Sequence, residues 1–94
     1  MSWKKTFAAL ADDNRQKILE ALRECELNAG QIGSKLTISG PSISHHLGVL
    51  KQANLVSSRR QGQEIIYSLN VSVLEELSQA MIKFLKIKKN NYRE

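Results

Sequence analysis

Apolar residues recur at helical spacing along the first half of the chain, switch to alternation after Asn54, and return to helical spacing near the end. The first stretch predicts a short helix over Trp3–Leu10, with Trp3, Phe7 and Leu10 on one face. A second follows, with Asp12 as its N-cap and Ile18, Leu19 and Leu22 as its stripe up to about Glu24. Leu27-Asn28 is expected to open a third, short helix that runs to Leu36, with Asn28 as cap and Ile32 and Leu36 buried. Ile38 is expected to face inward from a tight turn.

The sharpest helix start is Ser39-Gly40-Pro41-Ser42. Ser39 can accept from the Ser42 backbone N–H, and Pro41 costs nothing in a first turn whose N–H groups lack intrahelical partners. Ile43, Leu47 and Leu50 form the inner stripe of this helix, Ser39 to Gln52. Pro41, Ser44, His45, Gly48 and Gln52 fall on the opposite side, a small and polar face able to approach the floor of a groove. Alternation then predicts strands over Val56–Arg60 and Glu64–Leu69, joined by Gln61-Gly62-Gln63 with Gly62 free to take positive φ. Ile66 breaks the alternation, which implies that both faces of its strand are partly covered. Asn70 or Ser72 caps a last helix bearing Leu74, Leu77, Met81, Phe84 and Leu85. A basic tail follows, expected to fray into solvent.

The element string is therefore mainly α with a small β-hairpin: four helices, two strands, one helix. A tight turn between the third and fourth helices marks a helix-turn-helix, and the hairpin after it marks the winged form. Such a fold places its second motif helix in the DNA major groove. Residues 1–87 are read as one DNA-binding and dimerisation domain and 88–94 as a basic tail.

Charge sharpens this reading. The chain has 94 residues and a formal net charge of +5, unevenly spread. Basic and acidic residues balance up to Glu26, whereas Leu27 to Gln63 holds Lys35, Lys51, Arg59 and Arg60 and no acid. A surface that meets phosphates is weakened by any carboxylate beside it, so an acid-free stretch over the turn, helix and wing fits a DNA-facing role. Ser44 and His45 are the candidates for base edges and Ser42 and Lys51 for phosphates, with Ser39, Gly40 and Pro41 beside them among the expected DNA-binding residues. Arg59, Arg60, Gln61, Gly62 and Gln63 form a wing suited to phosphates or a neighbouring minor groove.

Several classes are excluded or disfavoured. No apolar run approaches the ~20 residues of a membrane span, and no signal-peptide core is visible, so a reducing cytoplasm is expected. Cys25 is the only cysteine, which rules out an intrachain disulfide or a multi-thiolate metal site. His45 and His46, adjacent on a helix, diverge by about 100° and make a poor ligand pair. No metal site and no cofactor are expected. An enzyme built on Ser44-His45 or Cys25 lacks an acidic partner to orient a base, and no phosphate-cradling glycine loop is present. An interaction domain that kept the fold and lost DNA binding would not need the polar helix face and cationic wing.

The sequence resembles the ArsR-type winged-helix repressors over nearly its whole length. The matching stretches are Phe7–Arg15, Ile18–Leu22, Ser42–Lys51 and Arg59–Leu69, and the last two are specific in combination: Ser44-His45-His46-Leu47, then a Gly-turned wing ending in Tyr67-Ser68-Leu69. It looks most like the SdpR-like branch. The resemblance implies a homodimer built through the first and last helices, here Trp3, Phe7, Leu10, Leu74, Leu77, Met81 and Phe84. It further implies an inverted-repeat operator in double-stranded DNA and, for this branch, a membrane protein that sequesters the repressor; an unidentified small-molecule ligand is the alternative effector. Two departures stand out. Asp12-Asp13-Asn14-Arg15 replaces the usual Asp-Pro-Thr-Arg, which alters the cap, and Gly40 replaces a frequent DNA-touching Gln, which alters operator preference. The family's thiolate and Asp/His metal motifs are missing: the corresponding positions are Asn28–Gln31, and the last helix offers only Glu75 and Glu76.

Overall fold

A computed structural model describes residues 3–92, and among their side chains those up to Leu85. Its elements are α1 (Lys4–Leu10), α2 (Asp13–Glu24), β1 (Leu27–Asn28), α3 (Ala29–Leu36), α4 (Gly40–Gln52), β2 (Val56–Gln61), β3 (Glu64–Leu69) and α5 (Val71–Tyr92). The helices and the hairpin fall where periodicity put them.

Leu27-Asn28 departs from expectation. It forms a strand that pairs with β3, Leu27 opposite Tyr67 and Asn28 opposite Ile66. The hairpin is thus part of a three-stranded antiparallel sheet in the order β1-β3-β2. Asn28 still caps α3: its side chain accepts from Gln31 N while Gln31 Oε1 accepts from Asn28 N, a reciprocal capping box. Leu27 is extended because it precedes the cap, where helical dihedrals are not yet required. With neighbours on both edges β3 is the central strand, which accounts for the mixed pattern around Ile66.

The core is one cluster drawn from α1 to α4, β1, β2 and the segment between α4 and β2, with Ile18, Ile32, Ile43, Leu50 and Leu55 fully buried, and β3 and α5 pack partly buried side chains against it. Burying a side chain of this size stabilises by roughly 1.5–3 kcal/mol, so these five positions hold the helix-turn-helix together. Two left-handed helix ends set its geometry, the first of them a Schellman turn. At the end of α4, Asn54 takes φ 61°, Leu55 N bonds Leu50 O and Asn54 N bonds Lys51 O. At the end of α3, Thr37 takes φ 56° and Ile38 N bonds Gly33 O. A Cβ on Gly33 would lie 3.2 Å from the Ile38 carbonyl, so a glycine lets the turn close this tightly.

Two expected caps are absent. Ser39 stands at the N-cap of α4, but its side chain makes no capping hydrogen bond. Only its carbonyl serves the helix, accepting from Ile43 N at 2.9 Å. Asn70 precedes α5, yet its side-chain amide donates to the Asn54 carbonyl at 2.9 Å, tying the sheet exit to the end of α4, and Ser72 lies inside the helix. The α5 backbone stays helical to Tyr92, past the expected start of the tail. The exposure of the tail's side chains lies outside the described residues.

Candidate nucleic-acid interface

The α4 stripe is as periodicity requires. Ile43, Leu47 and Leu50 are buried, and Pro41, Ser44, His45, Gly48, Lys51 and Gln52 are exposed. Around Gly40 and Gly48 an added Cβ would meet nothing within 4 Å, so the outward face is low and open at two points. Ser39, Gly40 and Pro41 sit exposed at the helix start, and Ser42 is half-buried. Because Ser39 caps nothing, the Gly40 and Ser42 amides keep no side-chain acceptor from this residue. They stand at the positive end of the helix dipole, where anions are favoured.

His46 behaves differently from His45. It is 8% exposed, and its Nδ1 accepts from the Arg15 guanidinium at 3.2 Å. Arg15 is a pure donor and also holds the last carbonyls of α1, with Nε to Ala9 O at 2.8 Å and Nη2 to Ala8 O at 3.3 Å. Asp12 caps α2 by accepting from Arg15 N at 3.1 Å, and this bond, helped by the Asn14 backbone N–H and the Arg15 charge, holds its carboxyl below the usual aspartate value. One arginine therefore ties α1, the start of α2 and the middle of α4 together. No local pattern in the sequence signals it.

The wing is a two-residue turn between Gln61 and Glu64. Gly62 has φ +64° and Gln63 does not share it, the pattern of a II′ hairpin turn that suits the twist of paired strands. Arg59, Arg60, Gln61, Gly62 and Gln63 are all exposed. Arg59 is not free: its Nη2 donates to Glu26 Oε1 at 2.8 Å and to Gln61 Oε1 at 3.2 Å. The pairing holds the Glu26 carboxyl below its usual value and raises that of Arg59. Glu64 Oε1 accepts from the Asn28 side-chain amide, joining the base of the wing to the cap of α3. The carboxylates flanking the acid-free stretch are thus folded back onto it, which charge counting along the chain could not show.

The second surface lies on α1 and α5. Trp3, Phe7, Leu77, Met81 and Phe84 line one apolar groove of about 490 Å³ with Ala80 and Leu85. Phe7 is 50% exposed, Met81 51% and Phe84 62%, whereas Leu77 is only 7% exposed and already belongs to its own chain's interior. Leu10 and Leu74 are partly buried against the core and do not line the groove. Among the described residues no three of His, Cys, Asp and Glu converge as metal ligands, and no helix is long and apolar enough to cross a membrane. Cys25 is exposed and forms no disulfide.

The sequence pattern described as bacterial regulatory protein, arsR family, matches residues 12–58, which span α2 to the start of β2. The transcriptional repressor SdpR of Bacillus subtilis is 47% identical over 79 residues, covering 84% of this chain and 88% of that protein. The transcriptional activator HlyU of Vibrio cholerae is 34% identical over 77 residues, covering 82% and 68%. Among solved structures, an ArsR-like transcriptional regulator from Rhodococcus sp. RHA1 superposes with a TM-score of 0.90 at 27% identity, over 95% of this chain and 82% of that one.

Proposed function

The chain belongs to the arsR family of bacterial regulatory proteins, DNA-binding and non-enzymatic, and on that premise we propose that it is a homodimeric repressor of an inverted-repeat operator. One observation carries the proposal. The exposed face of α4 joins small polar side chains, Ser44 and His45, to a helix start that no side chain caps, next to a cationic wing. Ser44 and His45 read base edges in the major groove, Ser42, Lys51 and the Gly40–Ser42 backbone hold phosphates, and the wing adds affinity. Buried His46, held by Arg15, sets the rotation of α4 so that Ser44 and His45 point outward.

The groove lined by Phe7, Met81 and Phe84 supports dimerisation. An apolar surface of this kind on so short a chain is stabilised by a second copy, and a two-fold axis repeats α4 at the spacing of a half-site. Repression, as opposed to activation, rests on the greater identity to SdpR than to HlyU.

The reading is tested with Ser44→Ala and His45→Ala on the operator. Each is expected to weaken specific binding by about 1–3 kcal/mol while leaving affinity for unrelated duplex nearly unchanged. Equal losses on both kinds of DNA would show that α4 does not read sequence.

A further inference from the structure

Arg59 and Arg60 are neighbours in sequence but not equivalent in the fold. Successive residues of a strand point to opposite faces of the sheet. Arg59 lies opposite Ile66, which in turn lies opposite Asn28 of β1. Its face of the sheet is therefore the one that carries Glu26, two residues before Asn28 at the corner after α2. Across the central strand the Arg59 guanidinium meets the Glu26 carboxylate at 2.8 Å and the Gln61 side chain at 3.2 Å. Arg60, on the other face, pairs with no carboxylate among the described residues.

We propose that Glu26 is a built-in competitor for the DNA phosphate at Arg59, so that the wing of the wild-type protein spends one of its two arginines within the chain. This rests on the reading of the wing as a phosphate-contacting element and goes beyond it. The pair is about half exposed, 51% for Arg59 and 49% for Glu26, so a phosphate can reach the guanidinium; but it must displace a carboxylate already in hydrogen-bond contact. Glu26 is also the last acid before the stretch Leu27–Gln63 that the sequence keeps free of acids. A phosphate contact strengthens binding to every duplex alike. Holding Arg59 in the chain therefore lowers overall affinity, and with it occupancy of non-operator DNA, without changing which sequence is preferred.

The test is a salt titration of binding to a labelled duplex of mixed sequence, read by fluorescence anisotropy, with thermal melts confirming that every variant folds. Each neutralised phosphate contributes about 0.9 to the slope of log K against log salt. Because the proposed dimer carries two wings, Arg60→Ala is expected to flatten the slope by about 1.8 and Arg59→Ala to leave it unchanged. Glu26→Gln is expected to steepen it by about 1.8, again one contact per protomer, so that the affinity lost between 50 and 200 mM salt grows about 12-fold. Glu26→Ala, which leaves no amide to bond Arg59, should do the same. The double variant Glu26→Gln with Arg59→Ala should return to the wild-type slope, showing that the gain runs through Arg59 and not through net charge. An unchanged slope in both Glu26 variants, or a flattening by Arg59→Ala equal to that of Arg60→Ala, overturns the proposal. An unchanged slope in Arg60→Ala speaks against the wing reading itself, and the Glu26 variants still decide the proposal.

Discussion

Removing the Phe7 ring should separate the two protomers while leaving each one folded. Phe7 is 50% exposed in the single chain and lines the α1–α5 groove. An aromatic side chain presents about 200 Å² to solvent, so roughly 100 Å² of Phe7 awaits a partner. At about 25 cal/mol per Å² that surface is worth roughly 2.5 kcal/mol, and two-fold symmetry counts it twice. Allowing for the surface that an alanine retains, Phe7→Ala should weaken the dimer by about three orders of magnitude. Sedimentation equilibrium reads this directly, and far-UV circular dichroism at high dilution confirms the helices. Leu77→Lys is a poorer probe, because Leu77 is 7% exposed and its loss would damage the fold first. A Phe7→Ala protein that remains as tightly dimeric as the wild type would show that the dimer uses another surface.

Three further outcomes follow from local geometry. Gly62→Val forces a β-branched residue into φ +64° and should cost about 1–2 kcal/mol in thermal unfolding, with weaker binding to all duplexes as the wing turn distorts. Thr37 already occupies φ 56°, so Thr37→Gly should melt higher than the wild type, because the relief of about 1–2 kcal/mol exceeds the roughly 0.5–1 kcal/mol that glycine's added entropy costs. The Asp12 carboxyl titrates below 3.8 in the fold, so its cap stabilises fully above that value and the contribution is lost as pH falls through the lowered one. The melting temperature of Asp12→Asn, whose cap carries no charge, should therefore fall less than that of the wild type as the pH is taken from 5 to 2.

The helices were legible because each carries its own evidence: apolar spacing in α2 and α4, Asp12 and Asn28 at cap positions, Pro41 in a first turn. The outward face of α4 followed from the same spacing. What escaped was non-local. β1 is a two-residue strand whose partner lies some 40 residues on, too short for any period to register. Arg15 holds His46 across 31 residues, and Glu26 reaches Arg59 across the central strand. Ser39 and Asn70 show the converse: both have good cap chemistry, but Asn70 is drawn off by the Asn54 carbonyl and Ser39 stays open to solvent.

The central claim, a two-fold reader of specific DNA, is tested most directly by selecting binding sites from a pool of random duplexes with the purified protein. The selected sites should share an inverted repeat whose half-sites lie about 10–10.5 base pairs apart, or a multiple of that, centre to centre. Enrichment should collapse when the pool is selected with the Ser44→Ala, His45→Ala double variant. A pool that yields no common sequence, or a single half-site with no two-fold partner, would contradict the account.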